Sequence, residues 1–171
     1  VEFVDSSGNA AIMAQDITSQ TNLVVEFYTY LTNGDEFQFY GREATPTGID
    51  ILFDFYNGNI SYYDGSWNTI TTYSYNTWHN VKLIIDTNSE SYNIYFNDNL
   101  EISDAAFAST AAKIGTIEFR TTTTGTNSGV YIDDVKVYAH STSGYYNSSK
   151  YVAPGDIIGV CYKWNTTQPE N

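Results

Sequence analysis

The sequence predicts an all-β protein built from two packed antiparallel sheets, on three observations. Apolar and polar residues alternate along many short segments, which is the period of a strand with one buried face. Turn-forming pairs such as Asn57-Gly58 and Asp64-Gly65 separate these segments. Sixteen Tyr, nine Phe and three Trp favour strands over helices. About eleven short strands with frequent turns are typical of a sandwich.

The first half of the chain supplies seven of these strands. They are predicted, in order, at residues 1–4, 10–17, 23–31, 37–41, 49–56, 59–63 and 69–75. Asn57-Gly58 is the strongest hairpin signal, because a tight hairpin turn needs residues that accept a positive φ. The Asp64-Gly65 turn leads to Trp67, which we expect to be partly exposed.

The segment 77–96 fixes the antiparallel class. Val81, Leu83 and Ile85 alternate with more polar residues, a polar turn follows at 87–90, and the alternation then resumes. A second turn is predicted at 97–99. Trp78 opens this strand, and we expect it to pack in the core.

The remaining segments complete the sandwich and separate it from the end of the chain. Residues 100–112 show no sustained period and are predicted to form a loop with at most one helical turn, whereas 114–120 and 130–138 are strands. The composition changes at His140. We therefore expect a jelly-roll sandwich at 1–139, a linker at 140–150, and an additional C-terminal strand with a polar tail at 151–171.

The C-terminal strand carries an apolar stripe of its own. Its alternating residues are Ile158, Val160, Tyr162 and Trp164. An exposed stripe of this kind favours aggregation in a free module, whereas in an assembly it forms an interface. The stripe therefore predicts strand addition to a neighbouring copy of the chain, with folding back onto its own sheet as the alternative.

Charge and cysteine content narrow the functional classes. Twenty acidic against seven basic residues give a net charge of −13, which would repel a phosphate backbone and argues against nucleic acid. Cys161 is the single cysteine, so no internal disulfide forms. The sequence has no run of about 20 apolar residues, so no membrane span is predicted. An acidic, Thr-, Asn- and Tyr-rich, Lys-poor composition favours an extracellular or cell-surface location.

Two segments resemble the concanavalin A-like lectin/glucanase superfamily, and most of all its laminin-G-like branch. They are residues 78–83, where a Trp opens a strand, and 92–98, where a hairpin ends in a polar turn. Asn99 stands where that turn often has Gly. Residues 114–119 and 130–137 are similar to the closing strands of such jelly rolls. The resemblance covers about residues 1–138 and implies two packed antiparallel sheets with the first strand beside the last.

Catalytic patterns of that superfamily are missing from the sequence. Its glucanases carry a Glu-x-Asp-x-x-Glu strand with two glutamates around the sugar bond, and no such stretch occurs here. His79 follows Trp78, and His140 lies at the edge of the domain, so neither is placed as a base. We therefore predict a protein that is not an enzyme.

An acidic pair in the last strand predicts a Ca²⁺ site. In jelly rolls that resemble this one, an Asp of the last strand often joins ligands near the N-terminus, which here implies Asp133 or Asp134 with Asp5. The apolar stripe changes parity between Ile132 and Val135, which indicates a β-bulge at the two aspartates. Alternatively, these aspartates are edge charges that prevent pairing between sheets.

Aromatic residues crowd one region and predict a sugar-contacting surface. They are Tyr62, Tyr63, Trp67, Tyr73 and Tyr75. Tyr and Trp faces stack on the apolar faces of sugar rings as they do on other apolar surfaces. The alternative is cross-strand aromatic pairing that only stabilises the sheet.

Three tripeptides match the N-glycosylation pattern. They begin at Asn59, Asn147 and Asn165.

Together the features of the sequence favour a non-catalytic, lectin-like protein with a structural or adhesive role at the surface. We predict a glycosylated filament subunit that assembles with copies of itself through its C-terminal strand. The alternative is a carbohydrate-binding module of a secreted polysaccharide-degrading enzyme.

Overall fold

The computed structural model describes residues 1–3, 10–32, 36–43, 48–122 and 129–140, which form strands and turns without a helix. The strands are β1 (Glu2–Phe3), β2 (Ile12–Gln20), β3 (Asn22–Leu31), β4 (Phe37–Arg42), β5 (Ile51–Tyr56), β6 (Asn59–Tyr63), β7 (Trp67–Thr72), β8 (Trp78–Asp86), β9 (Ser91–Phe96), β10 (Asn99–Ala106), β11 (Ile114–Thr121) and β12 (Val130–Ala139).

These strands form two antiparallel six-stranded sheets. Sheet A has the order β1-β12-β3-β8-β9-β10, and sheet B has the order β2-β11-β4-β5-β6-β7. Glu2 pairs with Tyr131 and Phe3 with Val130, so the first strand lies beside the last. The predicted all-β, antiparallel two-sheet sandwich and its jelly-roll arrangement are confirmed.

An aromatic core fills the space between the sheets. Phe119 of β11 lies 5.0 Å from Phe27 of β3 and 5.4 Å from Phe39 of β4, measured between ring centroids. All three rings are fully buried. Edge-to-face contacts of this kind stabilise beyond the area that they bury. The core phenylalanines of sheet B alternate with polar residues, so the same strands carry a second, outward-facing set of side chains.

Two hairpin turns form where the sequence predicts them. Asn57 and Gly58 have φ values of 49° and 80°, and Asn97 and Asp98 have φ values of 49° and 65°. Two consecutive positive φ values match the right-handed twist of the flanking strands. Asn and Asp tolerate this conformation because their short side chains bond locally.

The bulge predicted in the last strand is also confirmed. Asp133 pairs with Tyr28, but the next pair along β12 is Lys136 with Glu26. The last strand therefore advances three residues while its neighbour advances two, and Asp134 takes up the extra residue at a φ of 48°.

The loop predicted at residues 100–112 is wrong over its first half. Residues 99–106 form β10, which pairs with β9 through two register shifts. The shifts move Ala105 and Phe107 onto the buried side although Leu100 is half-exposed. Irregular pairing destroys the period in the sequence but leaves the backbone hydrogen bonds, so alternation alone does not reveal this strand.

The prediction that Trp78 packs in the core is also wrong. Its side chain is 47% exposed and lies 5.4 Å from the ring of Tyr30 on the outer face of sheet A. His79, the next residue, occupies the buried position instead. A shift of one residue moves every side chain of a strand to the other face, which explains the error.

The predicted linker beyond His140 and the tail strand at 151–171 lie outside the described residues. The same holds for Cys161 and for the assembly stripe Ile158, Val160, Tyr162 and Trp164. In the part of the chain that the structure describes, no helix has the length and apolar character to cross a membrane.

Candidate functional site

The outer face of sheet B, which points away from the core, carries one continuous row of side chains. Glu118 of β11 lies opposite Tyr40, and Tyr40 lies opposite Leu52 of β5. The β5–β6 register continues this row to Tyr63, which pairs with Trp67 at the start of β7. We call these five residues the transverse row. It runs across five adjacent strands from a charged end to an aromatic end.

Several outward side chains of sheet B are buried although they do not face the core. Tyr40, Leu52 and Glu118 are each less than a tenth exposed. Gln38 and Asp54, in the neighbouring row, are equally buried. These side chains cover one another, which gives the face a packed polar surface rather than a fringe of solvated groups. Packing of this kind holds polar groups in fixed directions.

Both arginines of the chain meet at the charged end of the transverse row. The guanidinium carbons of Arg42 and Arg120 lie 4.8 and 5.4 Å from the centroid of the Tyr40 ring. A single oxygen, Oε1 of Glu118, lies 3.3 Å from Nη2 of Arg42 and 3.7 Å from Nη1 of Arg120. We call Arg42, Arg120, Glu118 and Tyr40 the arginine cluster. Both guanidinium groups are within the range of a cation–π interaction with Tyr40, which favours their positions over the ring.

A chain of hydrogen bonds extends from the arginine cluster. The Tyr40 hydroxyl donates to Oε1 of Gln38 over 2.5 Å, and Nε2 of Gln38 donates to Oε1 of Glu36 over 2.5 Å. These bonds fix the orientation of the Gln38 amide, since its oxygen must face Tyr40 and its nitrogen must face Glu36. The polar face is therefore ordered before any ligand arrives.

Three buried polar atoms on this face make no hydrogen bond within the described residues. They are Nε of Arg42, Nε of Arg120 and Oδ1 of Asp54. Buried polar atoms are nearly always paired in folded proteins, with protein or with water. Two unpaired donors and one unpaired acceptor therefore lie just beneath the same outer face, and the described residues do not complete the hydrogen bonding there.

The carboxyl group of Asp54 is a weaker acid than an ordinary aspartate side chain. Burial, and next the negative charge of Glu36, raise the pKa of the Asp54 carboxyl to about 7, although a hydrogen bond from the Ser61 backbone N–H lowers it. The group is therefore a donor as well as an acceptor at mildly acidic pH. Perturbed carboxyls cluster at functional sites, and this one lies between the charged and aromatic ends of the face.

The aromatic end is exposed and held by its turn. Trp67 is 49% exposed, and its ring centroid lies 5.3 Å from that of Tyr63. Oδ1 of Asp64 accepts hydrogen bonds from the Ser66 backbone N–H over 3.3 Å and from Asn68 Nδ2 over 2.9 Å. Trp67 is therefore a fixed aromatic platform, and it begins β7 rather than lying inside the turn.

The five aromatic residues predicted as one sugar surface do not share a face. Tyr62 points inward, with its ring 6.4 Å from Tyr92, and Tyr73 is buried with its ring 5.2 Å from Phe55. Tyr75 packs on Tyr73 at 5.3 Å. Consecutive residues of a strand point to opposite faces, which separates Tyr62 from Tyr63. Of the five, Tyr63 and Trp67 form an outward aromatic pair.

Sequence reasoning did not find the arginine cluster. Arg42 and Arg120 are far apart in the chain and meet because β11 pairs with β4. The available signal was the alternation of polar residues with Phe37 and Phe39, and with Ile117 and Phe119, which shows that each strand has a polar face. Alternation does not show which polar faces become neighbours.

The predicted Ca²⁺ site stays a prediction. Asp133 and Asp134 are exposed, and Oδ1 of Asp133 accepts a hydrogen bond from the Asp134 backbone N–H over 2.9 Å. Within the described ranges, no three His, Cys, Asp or Glu side chains form a metal-binding group. Asp5 lies outside those ranges. Equal melting temperatures with a chelator and with added Ca²⁺ would remove the site.

The histidines have structural surroundings. His79 is buried, with Nε2 2.9 Å from the Ser74 carbonyl oxygen and Nδ1 3.2 Å from Nδ2 of Asn97. Nε2 therefore donates to the carbonyl, and Nδ1 accepts from the amide. The two ring nitrogens thus connect β8 to the segment that precedes it and to the turn that follows β9. The backbone N–H of His140 donates to the Asn22 carbonyl at the end of β12.

The glycosylation predictions are untested. Asn59 is exposed at the start of β6, directly after the Asn57-Gly58 turn. Asn147 and Asn165 lie outside the described residues. Asn59 remains a predicted acceptor, on a strand rather than in a loop.

No protein-family model and no curated protein sequence matches the chain. Solved structures do match it in fold. A sialidase superposes with a TM-score of 0.70 at 15% identity over 81% of this chain, which spans only 15% of the sialidase. The carbohydrate-binding module CBM66 from Bacillus subtilis gives 0.57 at 13% identity, covering 78% of this chain and 83% of the module. Sheep galectin-11, in complex with glycerol, gives 0.55 at 14% identity over 73% and 96% of the two chains.

At these identities the likeness concerns the fold. The structures share two antiparallel sheets in a jelly roll, and the present chain reproduces that arrangement with six strands in each sheet. The resemblance seen in residues 78–83 and 92–98 is confirmed at this level. The chain has the concanavalin A-like jelly-roll fold.

Proposed function

We propose that the protein is an extracellular, non-catalytic glycan-binding module whose binding surface is the outer face of sheet B. One observation carries this proposal. The transverse row places the half-exposed Trp67, paired with Tyr63, and the arginine cluster on the same face of the same sheet. Sugars offer apolar ring faces and many hydroxyl groups, and this surface offers a partner for both.

The chemistry of recognition follows from the two ends. The Trp67 ring stacks on the apolar face of one sugar, as aromatic side chains stack on other apolar surfaces. Arg42, Arg120 and Glu118 donate to and accept from hydroxyl groups of a sugar further along. Trp67 and Tyr40 are three strand spacings apart, about 14 Å. The surface therefore suits an oligosaccharide that lies across the strands rather than one monosaccharide.

Order in the face supports affinity. The Tyr40 hydroxyl donates a hydrogen bond to Gln38, and both guanidinium groups contact the Tyr40 ring. A surface that is ordered before binding loses little conformational entropy when the ligand arrives. The ion pairs of Glu118 suit holding a ligand better than proton transfer, which supports a non-catalytic role.

The comparisons support the proposal at the level of fold. One similar structure is titled a carbohydrate-binding module, and another is a galectin in complex with glycerol. Since one fold carries many functions, the argument depends on the surface of this chain and not on those proteins.

Replacing Trp67 with alanine is expected to weaken oligosaccharide binding at least about tenfold, because Trp is enriched among the few residues that dominate a binding interface. The melting temperature should change little, since the side chain is half-exposed. Isothermal calorimetry against a panel of neutral and acidic oligosaccharides measures the first effect, and thermal melting measures the second.

Trp78→Ala is the matched control. Trp78 is 47% exposed, against 49% for Trp67, but lies on the outer face of sheet A. Binding should survive this change. Loss of binding in the Trp78 variant alone would place the site on sheet A, and a parent protein that binds no glycan would contradict the proposed function.

Self-assembly through the C-terminal strand is a second proposal, and an unpaired edge supports it. Within the described residues, the nine-residue strand β2 pairs with β11 on one side only. An edge strand offers backbone donors and acceptors to an added strand. The stripe of Ile158, Val160, Tyr162 and Trp164 would set the register of that strand. Repeated head-to-tail addition then produces a filament.

Removing residues after Ser149 is expected to leave a folded sandwich that no longer assembles. Light scattering and electron microscopy of the full chain and the truncated chain measure assembly, and thermal melting reports on folding. A full chain that stays monomeric at high concentration, or a truncated chain that unfolds, would contradict the filament proposal.

A further inference from the structure

We propose that the arginine cluster is an anion subsite that selects an acidic glycan, one with a carboxylate on a sugar ring. This inference rests on the proposed glycan-binding function and adds the chemical class of the ligand. Its test therefore separates the class of glycan from glycan binding as such.

The distribution of charge is the first argument. The chain has a net charge of −13 with only seven basic residues, yet both of its arginines converge on one Tyr ring. The two guanidinium groups share a single carboxylate, that of Glu118. The arginine cluster therefore keeps an excess of one positive charge on a strongly acidic protein, where a neutral ligand would need none.

Three other acidic side chains, those of Asp16, Glu36 and Asp54, lie on this face. Asp16 is exposed two strand spacings from Arg42, about 10 Å, and its Oδ1 accepts a hydrogen bond from the Thr116 hydroxyl over 2.8 Å. Glu36 accepts a hydrogen bond from Gln38, which lies between it and the arginine cluster. Asp54 is two strand spacings from Arg120, about 10 Å, and its pKa is raised to about 7. The carboxyl group of Asp54 is therefore largely protonated and uncharged in mildly acidic solution. It does not cancel the excess positive charge beside Tyr40 there.

Hydrogen-bonding capacity is the second argument. The Glu118 oxygen lies 3.3 and 3.7 Å from the two arginines, whereas a strong charged hydrogen bond is about 2.7–2.9 Å long. Nε of Arg42 and Nε of Arg120 are buried without a partner in the described chain. Neither guanidinium group is therefore saturated, and their side chains keep 21% and 27% exposure.

Geometry selects the carboxylate. A guanidinium group presents parallel N–H donors in one plane, which matches the two oxygens of a flat carboxylate. The Tyr40 ring contacts both guanidinium groups and holds them close to each other. A sugar acid that binds here, with its neighbouring residues directed along the transverse row, would bring another sugar ring toward Trp67.

Wild-type protein is titrated by calorimetry with trigalacturonate and with its methyl ester. Esterification removes the charge but preserves the shape of the sugar, so the comparison needs no variant. The acid should bind at least about tenfold more tightly, because hydrogen bonds to charged groups are stronger than those to neutral ones. Its affinity should also fall with added salt, which screens charges.

Arg42→Gln and Arg120→Gln should each remove most of the preference for the acid. Lys82→Gln is the matched control. This substitution also removes one positive charge and one ion pair, but on sheet A, where Nζ of Lys82 lies 3.3 Å from Oε1 of Glu26. Its preference should remain that of the wild type. Thermal melting of each variant confirms folding.

Equal affinities for the acid and the ester would overturn the inference and leave the proposed function intact. Tight binding of a sulfated trisaccharide without binding of the acid would also overturn it, as would equal losses in the Arg and Lys82 variants. A wild-type protein that binds neither these sugars nor a neutral panel would overturn both the inference and the proposed function.

Discussion

Phe119→Ala is expected to lower the free energy of unfolding by about 4 kcal/mol, the usual cost of removing a buried Phe from a core. Phe119 is fully buried, and its ring packs against Phe27 of sheet A and against Phe37 and Phe39 of sheet B. Truncation would open a cavity between the sheets that surrounding rings cannot fill. Single domains are stable by about 5–15 kcal/mol, so the loss is a large part of the total.

Urea unfolding followed by Trp fluorescence measures this loss. Tyr56→Ala is the matched control, since Tyr56 is an aromatic residue of the same sheet but is 53% exposed. Its truncation should cost less than about 1 kcal/mol. Similar losses in the two variants would show that the contacts of Phe119 do not dominate this part of the core.

Raising the pH from 4 to 8 is expected to destabilise the wild-type protein through Asp54. Burial, and next Glu36, raise the pKa of its carboxyl in the folded state from 3.8 to about 7. Below pH 3.8 the carboxyl is protonated in both the folded and the unfolded chain, so its contribution is fully present there. Between pH 3.8 and 7 only the folded chain holds this proton, so its stability falls as the pH rises through that window, by on the order of 4 kcal/mol in all, and stays at the lower level above pH 7.

Asp54→Asn isolates this effect from the other titrating groups. Asparagine keeps the shape of the protonated acid and cannot ionise, so the variant should equal the wild type near pH 4 and exceed it in stability at pH 8. Chemical unfolding at several pH values measures the difference. A constant difference between the two proteins across this range would show that Asp54 ionises normally in the folded state.

A buried carboxyl that destabilises the protein at neutral pH needs a compensating reason. Asp54 lies on the proposed binding face, beside the transverse row, and its Oδ1 has no partner among the described residues. Binding surfaces often retain groups that a stability optimum would remove. Loss of glycan affinity in the Asp54→Asn variant would connect the instability to recognition.

Local pattern was sufficient for most of the secondary structure. The strands around Val81 and Phe53, the Asn57-Gly58 hairpin and the bulge at Asp133 are found where the sequence predicts them. Each depends on neighbours in the chain: an alternation, a pair of residues that accept positive φ, or a change of parity. The strand at residues 99–106 was not predicted, because register shifts against β9 hide the alternation of its apolar residues.

The candidate site depends on contacts between distant segments. Arg42 and Arg120 are 78 positions apart in the sequence. They share Glu118 because β11, which carries Glu118 and Arg120, pairs with β4, which carries Arg42. Many strand orders satisfy the same alternation, since backbone hydrogen bonds do not identify their partner. The pairing of β11 with β4 brings two guanidinium groups to one Tyr ring.

The sequence by itself determined the all-β sandwich, the positions of the hairpins and the region in which aromatic residues are concentrated. Tertiary structure decided which of two adjacent tyrosines lies on the outer face. Tyr62 and Tyr63 are adjacent in the chain, yet one packs against the core and the other pairs with Trp67 on the outer face. A period of two assigns residues to two faces, but which face is buried depends on the sheet packed against it. The packing of the two sheets therefore converts an aromatic cluster in the sequence into one core contact and one exposed platform.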